Sequence, residues 1–267
     1  MGSKTKIDWC DSTWNPVTGC LHDCAYCYAR KIAERFGGVN YEDELENRYG
    51  EYDVVCLHAE EDVHKLDRPI VDFYSGKKAP YPWEFDPTFH RYKLDEPQKW
   101  KKPRNIFVCS MADLFGEWVP DKWIEQVFKA CEAAPQHRYL FLTKNPKRYA
   151  DLYEKNILPI GERYWYGTTV TSSEQPFFYS HVPDDNPHTF VSIEPIMGSF
   201  GKIKNLPDWV IVGAETGNRK GKVVPQNEWI DEIATECRRC RVPIFMKESL
   251  REIMGDDFRQ EFPWEVE

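Results

Sequence analysis

The chain has 267 residues, of which 41% are hydrophobic and 30% charged, and its formal net charge is -9. This composition is that of a folded globular protein, and the length suits one large domain. The negative charge excludes indiscriminate binding to duplex DNA, which needs a positive surface, although basic runs occur at Lys99–Arg104 and Asn218–Lys222. No apolar run is long enough to span a membrane, and the first residues lack the apolar core of a signal peptide. We therefore expect a cytoplasmic protein with no membrane partner.

Strand-like and helix-like segments alternate along most of the chain. A short strand around Ser12–Pro16 and a helix over Cys27–Phe36 come first, and helices are predicted later over Pro120–Ala134 and Gln226–Cys240. The other predicted strands are Asn105–Ser110, Arg138–Thr143, Tyr164–Val170, Thr189–Glu194, Trp209–Glu215 and Pro243–Lys247. This alternation predicts an α/β fold in which parallel strands form a partial or complete (β/α) TIM-like barrel.

Residues 37–99 interrupt the alternation. They combine an acidic run with a proline-rich and aromatic stretch, so we interpret them as an insertion or lid over the barrel mouth within a single domain of residues 1–267. The aromatic residues of this segment would suit either stacking on a base or packing in a core: Trp83, Phe85, Phe89 and Tyr92. A metal site is an alternative for Cys56, His58 and His64, but the acidic surroundings favour a solvated loop.

Three cysteines are concentrated in TGCLHDCAYCYAR, residues 18–30, at Cys20, Cys24 and Cys27. The chain has nine cysteines, and an odd number without an export signal predicts reduced thiols. The spacing C-x3-C-x2-C lets three thiolates bind three irons of a [4Fe-4S] cluster and leaves the fourth iron open. A structural zinc site would need a fourth ligand, for which His22 and Cys10 are nearest, and unliganded cysteines are a third interpretation.

Polar residues follow the apolar part of each predicted strand. They are Ser110, Asp113, Thr143, Lys144, Asn145, Thr168, Thr169, Ser192, Glu194, Glu215, Lys247 and Glu248. In a parallel barrel these positions meet at one edge, where active sites are built, and the cysteine loop opens on the same edge. Structural alternatives exist: Lys144 as a surface lysine, Glu194 and Glu215 in rim ion pairs, and Thr168 and Thr169 as ordinary strand residues.

The cysteine segment CLHDCAYC resembles the cluster motif of the radical S-adenosylmethionine (SAM) superfamily, including an aromatic residue, Tyr26, before the last cysteine. Further motifs resemble a phage-type family of radical-SAM-like proteins with a three-cysteine motif. They are STWNPVTGC, KLDEPQKWKKPRNIFVCSMADLF, LFLTKNPKRY, FVSIEPIMG, WVIVGAETG and VPIFMKES. Local similarity also exists to spore photoproduct lyase, which uses its radical to repair a thymine lesion in DNA.

The resemblance implies a radical SAM enzyme. Cys20, Cys24 and Cys27 would hold a [4Fe-4S] cluster, and SAM would be cleaved reductively to a 5'-deoxyadenosyl radical that abstracts hydrogen from the substrate. An electron donor such as flavodoxin or ferredoxin is implied as a partner. The substrate is unknown, and a nucleoside, a nucleobase or a nucleic-acid lesion is the candidate.

The resemblance also assigns cofactor contacts by position. Tyr26 would flank the adenine or the cluster. Ser110 and Asp113 stand where many superfamily members have Gly-Gly-Glu, which contacts the SAM amino group, so the chain departs from the pattern there. Lys144 corresponds to a lysine that pairs with the SAM carboxylate. Thr169 matches a hydroxyl that contacts the same carboxylate or the ribose, and Ser192 and Glu194 would reach the ribose or the substrate.

A second class of function stays open, which is a non-catalytic iron-sulfur or zinc protein that scaffolds or regulates a partner. Cys237 and Cys240 form a C-x2-C pair that could ligate an auxiliary cluster. On a helix, however, Cys237 falls on the apolar face, which favours packing in the core.

Overall fold

The computed structural model of the chain describes residues 5–37, 63–71, 76–175, 188–201, 203 and 205–265. In chain order its elements are β1 (Ser12–Trp14), β2 (Val17–Thr18), α1 (Tyr28–Phe36), β3 (His64–Leu66), β4 (Thr88–His90), β5 (Asn105–Val108), α2 (Asp121–Glu132), β6 (Arg138–Thr143), α3 (Lys147–Glu154), β7 (Tyr164–Thr169), β8 (Thr189–Ile193), β9 (Trp209–Val212), α4 (Asn227–Cys240), β10 (Ile244–Met246) and α5 (Arg251–Met254).

Seven strands form the main sheet, in the order β1-β5-β6-β7-β8-β9-β10, and every neighbouring pair is parallel. All the predicted strands are present, and the predicted helices coincide with α1, α2 and α4. Strands β7, β9 and β10 are buried along their whole length, as expected for a parallel sheet covered on both faces. The predicted α/β fold of parallel strands is confirmed.

The sheet is curved into a partial barrel, and Trp9 demonstrates the curvature. Its indole packs on Phe107 of β5, with ring centroids 4.6 Å apart, and on Trp209 of β9, at 6.2 Å. In a flat sheet these strands, four steps apart, would be separated by about 19 Å. Alternate residues of the strands therefore line a concave interior that aromatic side chains fill, among them Phe107, Trp165, Phe190, Trp209 and Phe245.

Helices cover the outer face of the sheet. In α2 the residues that pack inward recur at helical spacing, and they form one core with the outer side chains of β5, β6 and β7: Trp123, Ile124, Val127, Phe128 and Cys131. Helix α4 contributes Ile230, Ile233 and Cys237 to a second core. Cys237 is thus a core residue while Cys240 is exposed, as the apolar face of this helix indicates.

A second sheet of three short strands, in the order β2-β4-β3, joins two strands of the segment interpreted as an insertion, β3 and β4, to β2, which precedes that segment. Phe89 of β4 is buried against Trp123 of α2, so this aromatic residue serves the core. His64 stacks on Trp83 with ring centroids 4.1 Å apart. The predicted alternative of a metal site with Cys56 and His58 falls on residues outside those described.

None of the helices in the described ranges is both long and apolar enough to cross a membrane.

Candidate functional site

A cavity of about 600 Å³ opens at the carboxyl edge of the main sheet. All ten residues predicted to bind the cluster or SAM line it: Cys20, Cys24, Cys27, Tyr26, Ser110, Asp113, Lys144, Thr169, Ser192 and Glu194. They come from the loop after β2 and from the ends of β5, β6, β7 and β8. The structure therefore brings together residues that are spread over more than half of the sequence.

The cysteine loop begins at Gly19, whose backbone is held tightly. The φ angle of Gly19 is +83°, and a Cβ atom there would lie 2.1 Å from the carbonyl oxygen of Asp86. The Gly19 N–H donates to the Met111 carbonyl at 2.9 Å, and the Cys20 N–H donates to the Phe85 carbonyl at 3.0 Å. Only glycine fits this conformation and this approach, so the loop leaves the barrel in a defined direction.

The other end of the loop is fixed by the start of α1. Cys27 is the N-cap residue, and its Sγ accepts a hydrogen bond from the Arg30 backbone N–H at 3.3 Å. The Arg30 guanidinium reaches back to the carbonyls of Cys20 and His22, at 3.5 and 3.3 Å, and lies over the Phe85 ring. Arg30 therefore holds the loop closed from inside the protein.

The thiols of the loop are free and half-buried. Burial raises the pKa of Cys20 to about 12. The two other candidates for zinc ligands differ from them: His22 Nε2 lies 3.0 Å from the Asp113 carboxylate, and Cys10 does not line the cavity. Within the described part of the chain, no three or more His, Cys, Asp or Glu side chains are arranged to hold a metal ion.

Asp113 joins the cysteine loop to the sheet. Its carboxylate accepts four hydrogen bonds, from the Phe115 N–H at 3.0 Å, the Thr143 hydroxyl at 2.7 Å, the Lys144 N–H at 2.9 Å and His22 Nε2 at 3.0 Å. A carboxylate has about four acceptor positions, and protein donors occupy all of them. The geometry therefore assigns Asp113 to holding His22 and Lys144 in place.

The pKa of Asp113 reflects this arrangement. Burial of the carboxyl group acts to raise its pKa, but the hydrogen bonds from His22, the Lys144 backbone and Thr143 outweigh burial and lower it below the ordinary value. Asp113 is therefore a carboxylate at neutral pH.

Lys144 follows β6 and projects its ammonium group into the cavity, 5.9 Å from the centroid of the Tyr26 ring. Among the described residues no carboxylate forms an ion pair with it, which distinguishes it from the other lysine at the strand ends, Lys247. Thr169, at the end of β7, is buried on the same wall. Lys144 thus brings into the cavity a positive charge that no carboxylate of the described residues pairs with.

Glu194 and Lys247 form an ion pair across the ends of β8 and β10. The buried Ser192 hydroxyl donates to the other carboxylate oxygen of Glu194 at 2.9 Å. Burial lowers the pKa of Lys247, but the adjacent Glu194 carboxylate outweighs burial and raises the pKa, so Lys247 is charged at neutral pH. This is the rim ion pair foreseen as the structural alternative for Glu194.

Glu215 also has a protein partner. The Arg219 guanidinium donates to both of its carboxylate oxygens, at 2.6 and 2.8 Å, and these hydrogen bonds lower the pKa of Glu215. The pair lies beside the cavity on the loop after β9. Both glutamates named as rim ion-pair alternatives are therefore paired.

The Gly213→Ala substitution tests how closely the rim is packed. A Cβ atom at Gly213 would lie 2.8 Å from Lys247 Cδ and 3.2 Å from Glu194 Cγ, so the ion pair must shift. We expect a loss of about 1–3 kcal/mol in the free energy of unfolding, measured by urea denaturation. The control is Gly198→Ala, where the added methyl group meets no atom within 4 Å. Equal stabilities of the two variants would show that the rim adapts freely.

The cavity wall also contains residues that were not predicted to bind the cluster or SAM, among them Tyr28, Phe85, Cys109 and Lys247. The Tyr28 hydroxyl donates to the Ser110 carbonyl at 2.7 Å. Cys109, at the end of β5, has a φ angle of +60°, which is unusual for a residue with a side chain. Lys247 was among the polar residues predicted at the strand ends, since it follows the last strand as Lys144 follows β6, but no cofactor contact was assigned to it.

Comparisons with known proteins complete the description of the site. A family model described as a protein of unknown function (DUF5131) matches residues 4–253. A search of curated proteins finds no match. One similar solved structure is spore photoproduct lyase complexed with dinucleoside spore photoproduct, at 10% sequence identity and a TM-score of 0.48. Another is a cysteine-to-serine mutant of spore photoproduct lyase, at 11% sequence identity and a TM-score of 0.45. Each alignment covers 96% of this chain and 77% of the other. No comparison supports the phage-type description. Because the family model spans most of the chain, the protein belongs to the DUF5131 family.

Proposed function

We propose that this protein is a radical SAM enzyme, with a [4Fe-4S] cluster held by Cys20, Cys24 and Cys27 and with SAM bound in the cavity. One observation carries the proposal. Three free thiols with the spacing of the superfamily motif line a cavity of about 600 Å³ at the carboxyl edge of a parallel barrel sheet. A cavity of this size is suited to a cofactor or drug-sized molecule.

The chemistry of the donor set fits such a cluster. Thiolates are the ligands of iron-sulfur clusters, and three of them leave one iron free for a further ligand. A closed zinc site would need a fourth protein ligand. Of the nearest candidates, Cys10 lies outside the cavity lining, and His22 donates through Nε2 to Asp113, so that only its Nδ1 is left to bind a metal.

When bound, the cluster would supply the electron that cleaves SAM into methionine and the 5'-deoxyadenosyl radical. The protein's own residues would bind and orient the cofactor. The Lys144 ammonium group, which has no carboxylate partner among the described residues, would pair with the SAM carboxylate. Tyr26 would flank the adenine, and hydroxyl groups of Thr169 and Ser192 would contact polar groups of SAM.

For the substrate we propose a nucleoside, or a nucleobase exposed at a lesion in a nucleic acid. The exposed ring of Tyr28 lines the cavity, and a flat aromatic surface suits stacking on a base. The net charge of -9 favours a small or locally held substrate over a long duplex. A flavodoxin or a ferredoxin would serve as the external electron donor.

The test is anaerobic reconstitution with iron and sulfide, followed by SAM and a strong reductant and chromatographic detection of 5'-deoxyadenosine. We expect about four irons per chain and formation of 5'-deoxyadenosine. Zinc in place of iron, together with no binding of SAM, would overturn the proposal and favour the scaffold function.

The Lys144→Ala substitution is expected to weaken SAM binding by about 10- to 100-fold, because it removes one charge-assisted hydrogen bond to the cofactor. The iron content should not change, since Lys144 holds none of the irons. Equilibrium dialysis with radiolabelled SAM would measure the affinity of the wild type and of the variant for SAM. Lys147→Ala removes an exposed lysine of α3 and is the matched control. Wild-type affinity in the Lys144 variant would remove that residue from the site.

A further inference from the structure

A second cavity, of about 360 Å³, lies at the opposite, amino edge of the main sheet. We call it the arginine pocket. Its lining consists of Asp11, Pro103, Arg104, Asn105, Gln136, His137, Arg138, Glu162 and Arg163. None of these residues belongs to the cavity that holds the cysteines. The pocket is therefore separate from the site of the proposed function.

The register of the sheet places the three arginines side by side. The Arg138 N–H donates to the Arg104 carbonyl at 2.9 Å, and the Tyr139 N–H donates to the Arg163 carbonyl at 2.8 Å. Arg104, Arg138 and Arg163 thus stand at the starts of β5, β6 and β7, which are neighbours in the sheet. Neighbouring strands lie about 4.8 Å apart, so the three arginines start from adjacent positions along one short edge, where their guanidinium groups lie over three different rings: Trp100, Trp264 and Tyr164.

No carboxylate of the described residues forms an ion pair with any of these arginines. Arg104 donates to the Ser12 hydroxyl at 2.8 Å, Arg138 donates to the Asn105 side chain at 2.6 Å, and Arg163 lies over the Tyr164 ring. Two acidic residues also line the pocket. Asp11 accepts the Asn105 N–H at 2.7 Å, and Glu162 is exposed.

The balance of charge in the pocket is positive, although the chain as a whole carries -9. Three arginines outnumber the two carboxylates, and the exposed Lys101 and Lys102 precede Arg104. Guanidinium groups that lose water without gaining an anionic partner are costly, and an anion in the pocket would offset that cost.

Two buried polar atoms of the lining have no hydrogen-bond partner among the described residues: Arg138 Nε and His137 Nδ1. His137 is only 2% exposed, and its Nε2 donates to the Pro97 carbonyl at 2.9 Å. Burial lowers the pKa of His137, so the ring is neutral and Nδ1 is an acceptor. The lining thus offers arginine donors together with one acceptor.

We propose that the arginine pocket binds the phosphate group of a small phosphate ester. The paired N–H groups of an arginine guanidinium can donate to two phosphate oxygens at once. The acceptor nitrogen of His137 can accept from a protonated phosphate oxygen or from an adjacent hydroxyl group of the ester. The volume of the pocket suits a ligand of nucleotide size or smaller. The site would function without the cluster, so it stands or falls independently of the proposed radical chemistry.

The experiment is isothermal titration of the protein, as purified, with inorganic pyrophosphate as the probe. We expect saturable binding of one equivalent. Arg163→Ala should weaken it by about tenfold or more, because one charge-assisted interaction is lost. Arg163→Lys keeps the charge but loses the paired N–H donors of the guanidinium group. Its affinity for pyrophosphate should lie between those of the wild type and Arg163→Ala. Arg239→Ala removes an exposed arginine of α4 that pairs with Glu236, and it should leave the affinity unchanged.

Other outcomes would overturn the proposal. Absence of pyrophosphate binding to the wild-type protein would show that the arginines are structural. An equal loss of affinity in Arg163→Ala and Arg239→Ala would indicate a general effect of charge. A single-stranded oligonucleotide serves as the second arm of the experiment. If it binds through Arg163 while pyrophosphate does not, the phosphate comes from a nucleic-acid backbone and the small-ligand assignment is wrong.

Discussion

Replacing Cys24 with alanine is expected to abolish both the iron-sulfur absorbance of the reconstituted protein and the formation of 5'-deoxyadenosine. The proposed cluster has three protein ligands, so the loss of the middle thiol leaves two, too few to retain a cluster that still offers one open iron. Iron and sulfide analysis after anaerobic desalting would measure the cluster, and chromatography would measure the nucleoside. Both quantities should fall to the level of a protein that was never reconstituted.

The matched control is Cys240→Ala. Cys240 is exposed at the end of α4, and it neither lines the cavity nor packs in the core. This variant should keep the iron content and the activity of the wild type. Retention of a full cluster by the Cys24 variant would contradict the ligand assignment. Loss of the cluster in the Cys240 variant would instead point to a site for iron at the end of α4.

Much of the fold could be predicted from the sequence because parallel strands buried on both faces are continuous apolar runs. Strands β5 to β10 lie inside their predicted runs for this reason. The sheet formed by β2, β3 and β4 was not predicted, since its strands of two or three residues lie outside the alternation of strands and helices that marks the main sheet. Helix α3, with only Tyr149 and Leu152 buried, was also missed.

The site was partly predictable for a different reason. A parallel sheet places every strand end at one edge, so polar residues after the strands converge whatever their spacing in the chain. Ion pairs at the rim were foreseen for Glu194 and Glu215, but the residue that pairs with each was not predictable. The contact of Glu194 with Lys247 joins the ends of β8 and β10, strands on either side of β9, and depends on the curvature of the sheet. The four hydrogen bonds of Asp113 likewise depend on where the cysteine loop folds back.

Asp113 accepts hydrogen bonds from both the cysteine loop and the strand ends. Asp113→Ala is therefore expected to lower the free energy of unfolding by about 3–5 kcal/mol. The substitution leaves the Phe115 and Lys144 N–H groups, the Thr143 hydroxyl and His22 without their acceptor, in a place where water has little access. Urea denaturation at pH 7 would measure the loss. Asp23→Ala, which removes an exposed acid of the same cysteine loop, should change stability by less than about 0.5 kcal/mol.

The pH dependence gives this prediction a second, independent measurement. The pKa of Asp113 is lower in the folded protein than in the unfolded chain, so its carboxylate stabilises the fold above the unfolded value, about 4. That contribution is lost as the pH falls through the folded pKa. The difference in stability between the wild type and Asp113→Asn should therefore be constant near neutral pH and shrink in acid below about pH 4. A difference that does not change with pH would show that Asp113 acts through packing alone. Because Asp113 also fixes Lys144 and His22, its substitution should weaken SAM binding as well, which links the stability of this edge of the sheet to the proposed chemistry.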